Sequence, residues 1–211
     1  MDAFHERLAR VGLAATTNEG LALAGGNAVV EHGFVSRHSA DVDLFGALDI
    51  DLGAACARVV AAYEADGLSV TVELESEYYT RLTVVDTATS EESKVELVAD
   101  VRLREPVDLR LGSVLHPDDV AAGKIEALFS RAECRDFIDV DALLRSGSFT
   151  HEDLLRLAEQ RDAGFDRTVF ADMLAGVERF PDSEFARYGI SSERTAAIRS
   201  TMLEWRRCLA R

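Results

Sequence analysis

Cysteine is scarce in this sequence, and its three copies, Cys56, Cys134 and Cys208, lie far apart. Disulfide frameworks need paired cysteines and cysteine-based zinc sites need closely spaced ones, so the sequence predicts neither. This usage fits a protein of the reducing cytoplasm. Two catalytic motifs are also missing, the HExxH helix and the GxSxG nucleophile elbow. The sequence therefore gives no support for metalloprotease or serine hydrolase chemistry.

Long hydrophobic runs are missing as well. No stretch approaches the ~18 to 20 apolar residues that a membrane-spanning helix needs. Segment 1–12 has the pattern of an amphipathic helix and lacks the apolar core of a signal peptide. We therefore expect a cytoplasmic protein with no membrane partner. The 211 residues, 47% of them hydrophobic, are enough to bury a sizeable core in one domain or two small ones.

Positive charge is in short supply. The chain has 23 Lys and Arg against 38 Asp and Glu, which gives a formal net charge of −15. Non-specific binding to DNA comes from neutralising phosphates with Lys and Arg, so we expect no general DNA binding. A local basic groove for an RNA end is compatible with this balance.

The most informative stretch runs from the glycine pair Gly25-Gly26 to Phe45. Strand side chains alternate between faces, so Asp41 and Asp43 should point the same way from one strand. Such a pair of carboxylates suits Mg²⁺, which usually takes one or two carboxylates together with substrate phosphates. Glycine has no Cβ, so backbone N–H groups at Gly25 and Gly26 allow a polyphosphate to approach closely.

This arrangement resembles the GG/GS…DxD signature of the DNA polymerase β-type nucleotidyltransferase superfamily. In detail, GGNAVVEHG followed by RxSxDxDLF is similar to the AbiEii/MenT-type nucleotidyltransferase toxins. The resemblance implies that Asp41 and Asp43 hold Mg²⁺, with Mn²⁺ as an alternative. It also implies that Gly25, Gly26 and the Ser39 hydroxyl contact the β- and γ-phosphates of an NTP.

A third acid is expected on a neighbouring strand, within the segment KVELVAD at 94–100. Glu96 stands where the family's K-[VIL]-[DE]-[LVF] strand has its acid, and many relatives have Asp there. Asp100 is the alternative, because it lies four residues later on the same face of the strand. We expect Glu96 to be the third metal ligand.

Two consecutive predicted helices have charged residues within their apolar stripes. Lys124 lies within an apolar helical stripe, and a buried ammonium needs a carboxylate or phosphate partner. Asp136 and Asp139 line up with apolar residues of the next helix. The spacing matches the family pattern KxxA…RDxxD. We expect Lys124 to neutralise the triphosphate and Asp136 to orient Lys124; the alternative is a Lys–Asp salt bridge that only joins the helices.

The pattern of the whole chain predicts an α+β fold. Strands are expected at 21–24, 41–45, 68–75, 79–85 and 94–101, and helices at 4–11, 25–33 and 52–65. After Pro106 the pattern becomes helical, with helices at 117–131, 135–146, 151–163, 166–178 and 191–209. We therefore predict a polymerase β-type nucleotidyltransferase core at 1–113, with a small mixed sheet, and a C-terminal helical bundle at 114–211 that completes the active-site cleft.

The resemblance implies an NTP-dependent nucleotidyltransferase that releases pyrophosphate and acts as a toxin, with a cognate antitoxin encoded nearby. It suggests the 3′ end of tRNA as acceptor. Arginines near the C-terminus are candidate RNA contacts: Arg194, Arg199, Arg206, Arg207 and Arg211. The alternatives are transfer to a small molecule or a protein hydroxyl, and a non-catalytic nucleotide-binding module.

Overall fold

The computed structural model describes residues 1–210 and divides them into two compact units. The first comprises Met1–Gly33 and His38–His116. The second comprises Phe34–Arg37 and Pro117–Arg211, of which Arg211 lies outside the described residues.

The first unit is built on a seven-stranded mixed sheet with the order β3-β4-β5-β2-β1-β7-β6. Its central strands β2 and β5 are parallel, whereas the pairs β3–β4 and β4–β5 are antiparallel. The strands are β1 Ala22–Leu23, β2 Asp41–Ala47, β3 Leu68–Glu75, β4 Tyr79–Asp86, β5 Glu92–Asp100, β6 Val107–Leu109 and β7 Gly112–Val114. The alternating patterns at 68–75 and 79–85 are confirmed as β3 and β4.

Three helices complete this unit: α1 Ala3–Ala15, α2 Gly25–Glu31 and α3 Leu52–Ala65. Helices α1 and α3 cover one face of the sheet. A Cβ on Gly12 would meet Leu44 of β2 and Tyr63 of α3, and the Tyr63 hydroxyl donates to the Leu8 carbonyl at 2.9 Å. This close approach buries Val42 and Leu44 completely, so β2 has a core face and a second, partly exposed face.

The expectation of helix directly after Pro106 is wrong. Strands β6 and β7 form a short antiparallel pair there, with Leu109 opposite Gly112. Strand β7 also pairs with β1 through Leu23 and Val114. Three-residue strands are too short to leave a periodic pattern in the sequence, and the helical region begins only at Pro117.

The second unit is helical in its described part. Its helices are α4 Pro117–Ser130, α5 Cys134–Arg145, α6 His151–Arg161, α7 Arg167–Leu174, α8 Asp182–Ala186 and α9 Ser192–Leu209, with a short 3₁₀ helix at Ala175–Arg179. The cores of α4 and α5 include Ile125, Leu128 and Phe137, all fully buried. Together the two units confirm the α+β fold class.

Candidate active site

The two aspartates of the DxD motif lie on one face of β2. Asp41 and Asp43 are partly exposed, whereas Val42 and Leu44 are fully buried on the opposite face. The alternation of a strand therefore separates the carboxylates from the core, as the sequence predicts. Both acids therefore lie on the partly exposed face of β2.

Gly25 and Asp43 are in direct contact. Gly25 begins α2 with a φ of +57°, and a Cβ built on it would lie 1.7 Å from Oδ2 of Asp43. The backbone N–H of Ala24 donates to the Asp43 carbonyl at 2.8 Å, which fixes the approach. The Asp43 carboxylate thus occupies the space that a side chain at position 25 would need. Glycine is therefore required here because an acid of the site packs against its Cα.

Asn27 of α2 forms a hydrogen bond to β2, and the sequence analysis did not identify this residue. Its side-chain Nδ2 donates to the Asp41 carbonyl at 2.8 Å, and the residue is fully buried. A buried amide is costly unless it is hydrogen-bonded. The available signal was an asparagine within the otherwise apolar segment that follows Gly25-Gly26. Asn27 and Gly25 thus hold the backbone and the side chains of the DxD motif in place.

Glu96 lies beside Asp43. In the parallel β2–β5 ladder Asp43 is opposite Glu96 and Asp41 is opposite Lys94. Asp100 is opposite Ala47, four residues further along, which is roughly 13 Å at strand spacing. The register thus brings Glu96, and not Asp100, next to the DxD motif.

Arg81 and Tyr79 of β4 hold Glu96 through one of its two oxygens. Oε1 accepts from the Tyr79 hydroxyl at 2.7 Å and from Nε of Arg81 at 3.1 Å, and Nη2 of Arg81 is 3.0 Å away. Burial, followed by the hydrogen bond to Glu96, raises the pKa of Tyr79 to about 12, so the phenol stays protonated and donates. The antiparallel register that sets Arg81 opposite Glu96 could not be read from the sequence.

The carboxylates of β2 and β5 fit the donor set of Mg²⁺. All three contacts to Glu96 fall on Oε1, which leaves Oε2 without a hydrogen bond or ion pair among the described residues. Asp41, Asp43 and that oxygen share one face and offer only hard oxygen ligands. Lys94, opposite Asp41, adds a positive charge on the same face.

Lys124 of α4 pairs with Asp139, and the expected pairing with Asp136 is wrong. Its Nζ lies 3.0 Å from Oδ2 of Asp139. The same carboxylate is bound in bidentate fashion by Arg37, at 2.7 Å from Nε to Oδ1 and 2.6 Å from Nη2 to Oδ2. The guanidinium of Arg37 also lies 5.9 Å from the ring centroid of Tyr188. Arg37 belongs to the RxSxDxD motif, and its pairing with Asp139 could not be predicted from the sequence.

Asp136 caps the N-terminus of α5. It forms a capping box with Glu133, accepting from the Glu133 backbone N–H at 3.0 Å. Arg131 donates to both of its oxygens at 3.0 Å. A carboxylate at this position of the first turn stabilises the helix locally. Asp136 therefore fixes the beginning of α5, and Asp139 is the acid that holds Lys124.

The cluster of Arg37, Lys124 and Asp139 has two cations for one carboxylate. Asp139 is fully buried, which alone would raise the pKa of its carboxyl group, but Lys124 and Arg37 outweigh the burial and hold that pKa below its usual value. Asp139 is therefore ionised at neutral pH, and it pairs with both cations.

Ser39 is almost completely buried, with 6% of its surface exposed, and precedes β2 by two residues. The sequence analysis expected its hydroxyl on the face that bears both aspartates. Only a small part of the side chain is accessible there.

Comparison with known protein families identifies the family of this chain. Residues 8–211 match the family model described as nucleotidyl transferase AbiEii toxin, type IV toxin–antitoxin system. The chain belongs to the AbiEii family. It is therefore a nucleotidyltransferase, and the non-catalytic alternative is removed. Membership also implies an NTP substrate and an antitoxin partner.

Solved structures share the fold of this AbiEii-family toxin at low sequence identity. JHP933 from Helicobacter pylori is 16% identical with a TM-score of 0.62, over 98% of this chain and 92% of that one. A second H. pylori protein, assigned as a nucleotidyltransferase, is 16% identical with a TM-score of 0.64, over 98% and 95%. MenT4, a nucleotidyltransferase toxin of Mycobacterium tuberculosis H37Rv, is 16% identical with a TM-score of 0.54, over 99% and 87%. Among proteins with curated descriptions none matches the sequence.

The candidate RNA-contacting arginines of this AbiEii-family chain are engaged within the second unit. Arg194 pairs with Asp141, and Arg199 with Asp182 at 2.6 Å. Longer contacts join Arg206 to Asp172 at 3.7 Å and Arg207 to Glu204 at 4.0 Å. Arg211 lies outside the described residues. In residues 1–210, none of the helices has the length and apolar character needed to cross a membrane.

Proposed function

We propose that this toxin transfers a nucleoside monophosphate from an NTP to the 3′ end of tRNA, with Asp41, Asp43 and Glu96 as the ligands of Mg²⁺. The β2–β5 ladder is the observation that carries the proposal, because Asp43 and Glu96 are direct neighbours in it and Asp41 shares their face. Mg²⁺ commonly binds one or two carboxylates and fills its other positions with phosphate oxygens and water. Mn²⁺ would accept the same oxygen ligands.

In the proposed reaction the 3′-hydroxyl oxygen of the acceptor forms a bond with the α-phosphorus of the NTP. The bond from that phosphorus to the α–β bridging oxygen breaks, pyrophosphate leaves, and the hydroxyl proton passes to solvent. When bound, Mg²⁺ neutralises phosphate charge and lowers the pKa of the attacking hydroxyl. Asp41, Asp43 and Glu96 would hold the metal, while Arg81 and Tyr79 fix the orientation of the Glu96 side chain.

The triphosphate needs positive charge and backbone donors. We assign the positive charge to Lys124 and Arg37, which both pair with Asp139. We assign the backbone contacts to Gly25 and Gly26. The Ser39 hydroxyl belongs to the same proposal, as a further donor to the phosphates. Asp136 supports this arrangement only indirectly, since it caps the helix that carries Asp139.

A small-molecule or protein hydroxyl is the second candidate acceptor. The net charge of −15 disfavours binding of a polyanion as large as tRNA. In the same direction, Arg194, Arg199, Arg206 and Arg207 all have carboxylate partners. A compact acceptor would need no extended basic surface.

Transfer of label distinguishes the acceptors. Purified toxin is incubated with each of the four NTPs labelled at the α-phosphate, with Mg²⁺ and either total tRNA or a cell extract freed of RNA. The proposal predicts label in tRNA, no label from NTPs labelled at the γ-phosphate, and none after periodate oxidation of the tRNA 3′ end. Asp43→Asn is the inactive control. Label in the RNA-free extract alone would favour the second candidate.

A further inference from the structure

Three metal-ligating groups meet at the start of α1: Asp2, His5 and His38. One ligand atom of each lies within 4.8 Å of the other two. Oδ2 of Asp2 is 2.8 Å from Nδ1 of His5 and 3.4 Å from Nδ1 of His38, and the two imidazole rings are 5.4 Å apart. None of the three belongs to the residues assigned to nucleotidyl transfer.

A serine determines which ring nitrogen of His5 carries the proton. Nε2 of His5 lies 2.9 Å from Oγ of Ser93, and that hydroxyl donates its own proton to the Lys94 carbonyl at 3.1 Å. When the Ser93 hydroxyl donates to that carbonyl, Oγ accepts a hydrogen bond from Nε2–H of His5. In a neutral imidazole with the proton on Nε2, the other nitrogen, Nδ1, presents a lone pair.

This lone pair faces a carboxylate oxygen. Oδ1 of Asp2 accepts from the His5 backbone N–H at 2.8 Å, and Oδ2 is the oxygen directed at Nδ1 of His5. His5 is 6% exposed, and its Nδ1 forms no well-directed hydrogen bond within residues 1–210. Two electron-pair donors at 2.8 Å repel each other unless a proton or a metal cation lies between them. The second imidazole, that of His38, offers a further donor to such a cation.

We propose that Asp2, His5 and His38 bind a divalent transition-metal ion of the zinc class. Zinc binds imidazole nitrogen and carboxylate oxygen at ~2.0 to 2.2 Å, and tetrahedral ligands at that distance are roughly 3.3 Å apart. The Asp2 distances of 2.8 Å and 3.4 Å lie on either side of that value. The Ser93 contact to the other nitrogen of His5 is the outer hydrogen bond that metal-bound histidines commonly make. The two imidazoles select against Mg²⁺, which prefers oxygen ligands.

Binding of this ion would join the first turn of α1 to the segment that enters β2, because His38 precedes Asp41 by three residues. The ion stabilises the folded state, since a ligand that binds only the native protein raises the free energy of unfolding. We therefore expect a rise in Tm with Zn²⁺ that millimolar Mg²⁺ does not reproduce.

The test uses the full chain with an unmodified N-terminus, titrated with Co²⁺ in the presence of excess Mg²⁺. Co²⁺ substitutes for zinc and reports its ligands by visible absorption. His38→Ala is the informative variant, because 63% of the His38 side chain is exposed and its removal leaves the core intact. His151→Ala, an exposed histidine of the second unit, is the matched control, and Asp43→Asn controls for binding by the acids of β2.

We expect a single Co²⁺ to bind wild type with visible absorption, and His38→Ala to lower the affinity at least about tenfold, the scale of a lost metal contact. His151→Ala and Asp43→Asn should bind as wild type does. Absence of the absorption band from wild type, or equal affinity in His38→Ala, would overturn the proposal in favour of a protonated His5 paired with Asp2. Loss of binding in Asp43→Asn alone would assign the ion to β2 instead.

Discussion

Glu96 of β5 lies directly opposite Asp43 of β2 in a parallel ladder, and Arg81 holds it there through Oε1. This neighbour relationship brings Glu96 next to the DxD motif, and it is the basis on which we propose Glu96 as the third metal ligand.

Glu96→Gln should reduce nucleotidyl transfer by about 100-fold or more, the scale of losing one electrostatic contact to the transition state, while the chain still folds. The amide retains the shape of the side chain but removes the negative charge. The matched control is Asp100→Asn on the same strand, which should stay within about twofold of wild type since Asp100 is opposite Ala47. The rate of α-label incorporation measures both. A larger loss in Asp100→Asn than in Glu96→Gln would exchange their roles.

Gly25→Ala should abolish activity and lower the free energy of unfolding. The new Cβ would lie 1.7 Å from Oδ2 of Asp43, so the carboxylate must move, and alanine at a φ of +57° costs ~1 to 2 kcal/mol by itself. Gly33→Ala isolates the backbone cost, because Gly33 has a φ of +75° with nothing within 4 Å of its Cβ position. Urea unfolding and transfer assays on both variants check this. Equal activity in the two variants would mean that Asp43 tolerates displacement.

Asp139→Asn should destabilise the protein more than Lys124→Met does. The first change removes the carboxylate that pairs with both Lys124 and Arg37, and breaking a buried pair costs ~3 to 5 kcal/mol. The second leaves Asp139 paired with Arg37 and loses one charged contact, about 1.5 to 3 kcal/mol. Lys124→Met should nevertheless be inactive, because the triphosphate loses its ammonium partner. If Lys124→Met transfers nucleotides at the wild-type rate, Lys124 has only a structural role.

Stability should fall on acidification in a way that depends on Asp139. The pKa of this carboxyl group is lowered in the folded state relative to the unfolded chain, where it is ~3.9. Its contribution is therefore complete above that value and is lost as the pH falls through the lower folded pKa. The free energy of unfolding, measured between pH 6 and the acid limit of folding, should decrease less steeply in Asp139→Asn. Identical slopes in variant and wild type would contradict this assignment.

Local rules predicted much of the fold and the shared strand face of the two DxD acids. Strand alternation was enough to put Asp41 and Asp43 on one face, and the same alternation identified β3 and β4. The short strands β6 and β7 were not predicted, because three residues are too few to show the alternation of a strand.

Contacts that depend on register or on competing local bonds could not be predicted. Arg81 reaches Glu96 only through the pairing of β4 with β5. Asp136 and Asp139 both line up with the helical stripe, but Asp136 in the first turn of α5 is held in the capping box with Glu133. A Glu-x-x-Asp box departs from the usual Ser/Thr-x-x-Glu/Gln signature, so the sequence does not distinguish the two acids.

The most direct test of metal-dependent transfer compares wild type with Asp41→Asn and Asp43→Asn in one assay that follows both α-label incorporation into tRNA and pyrophosphate release. We predict that wild type forms the two products in equal amounts, stops on removal of divalent metal and recovers with Mg²⁺ or Mn²⁺. Both variants should retain the wild-type Tm measured without metal, because removing one of two crowded carboxylates relieves repulsion, and should form neither product. Transfer by folded Asp43→Asn within about threefold of wild type would contradict the account, since so small a factor is well below the effect of losing a catalytic electrostatic contact.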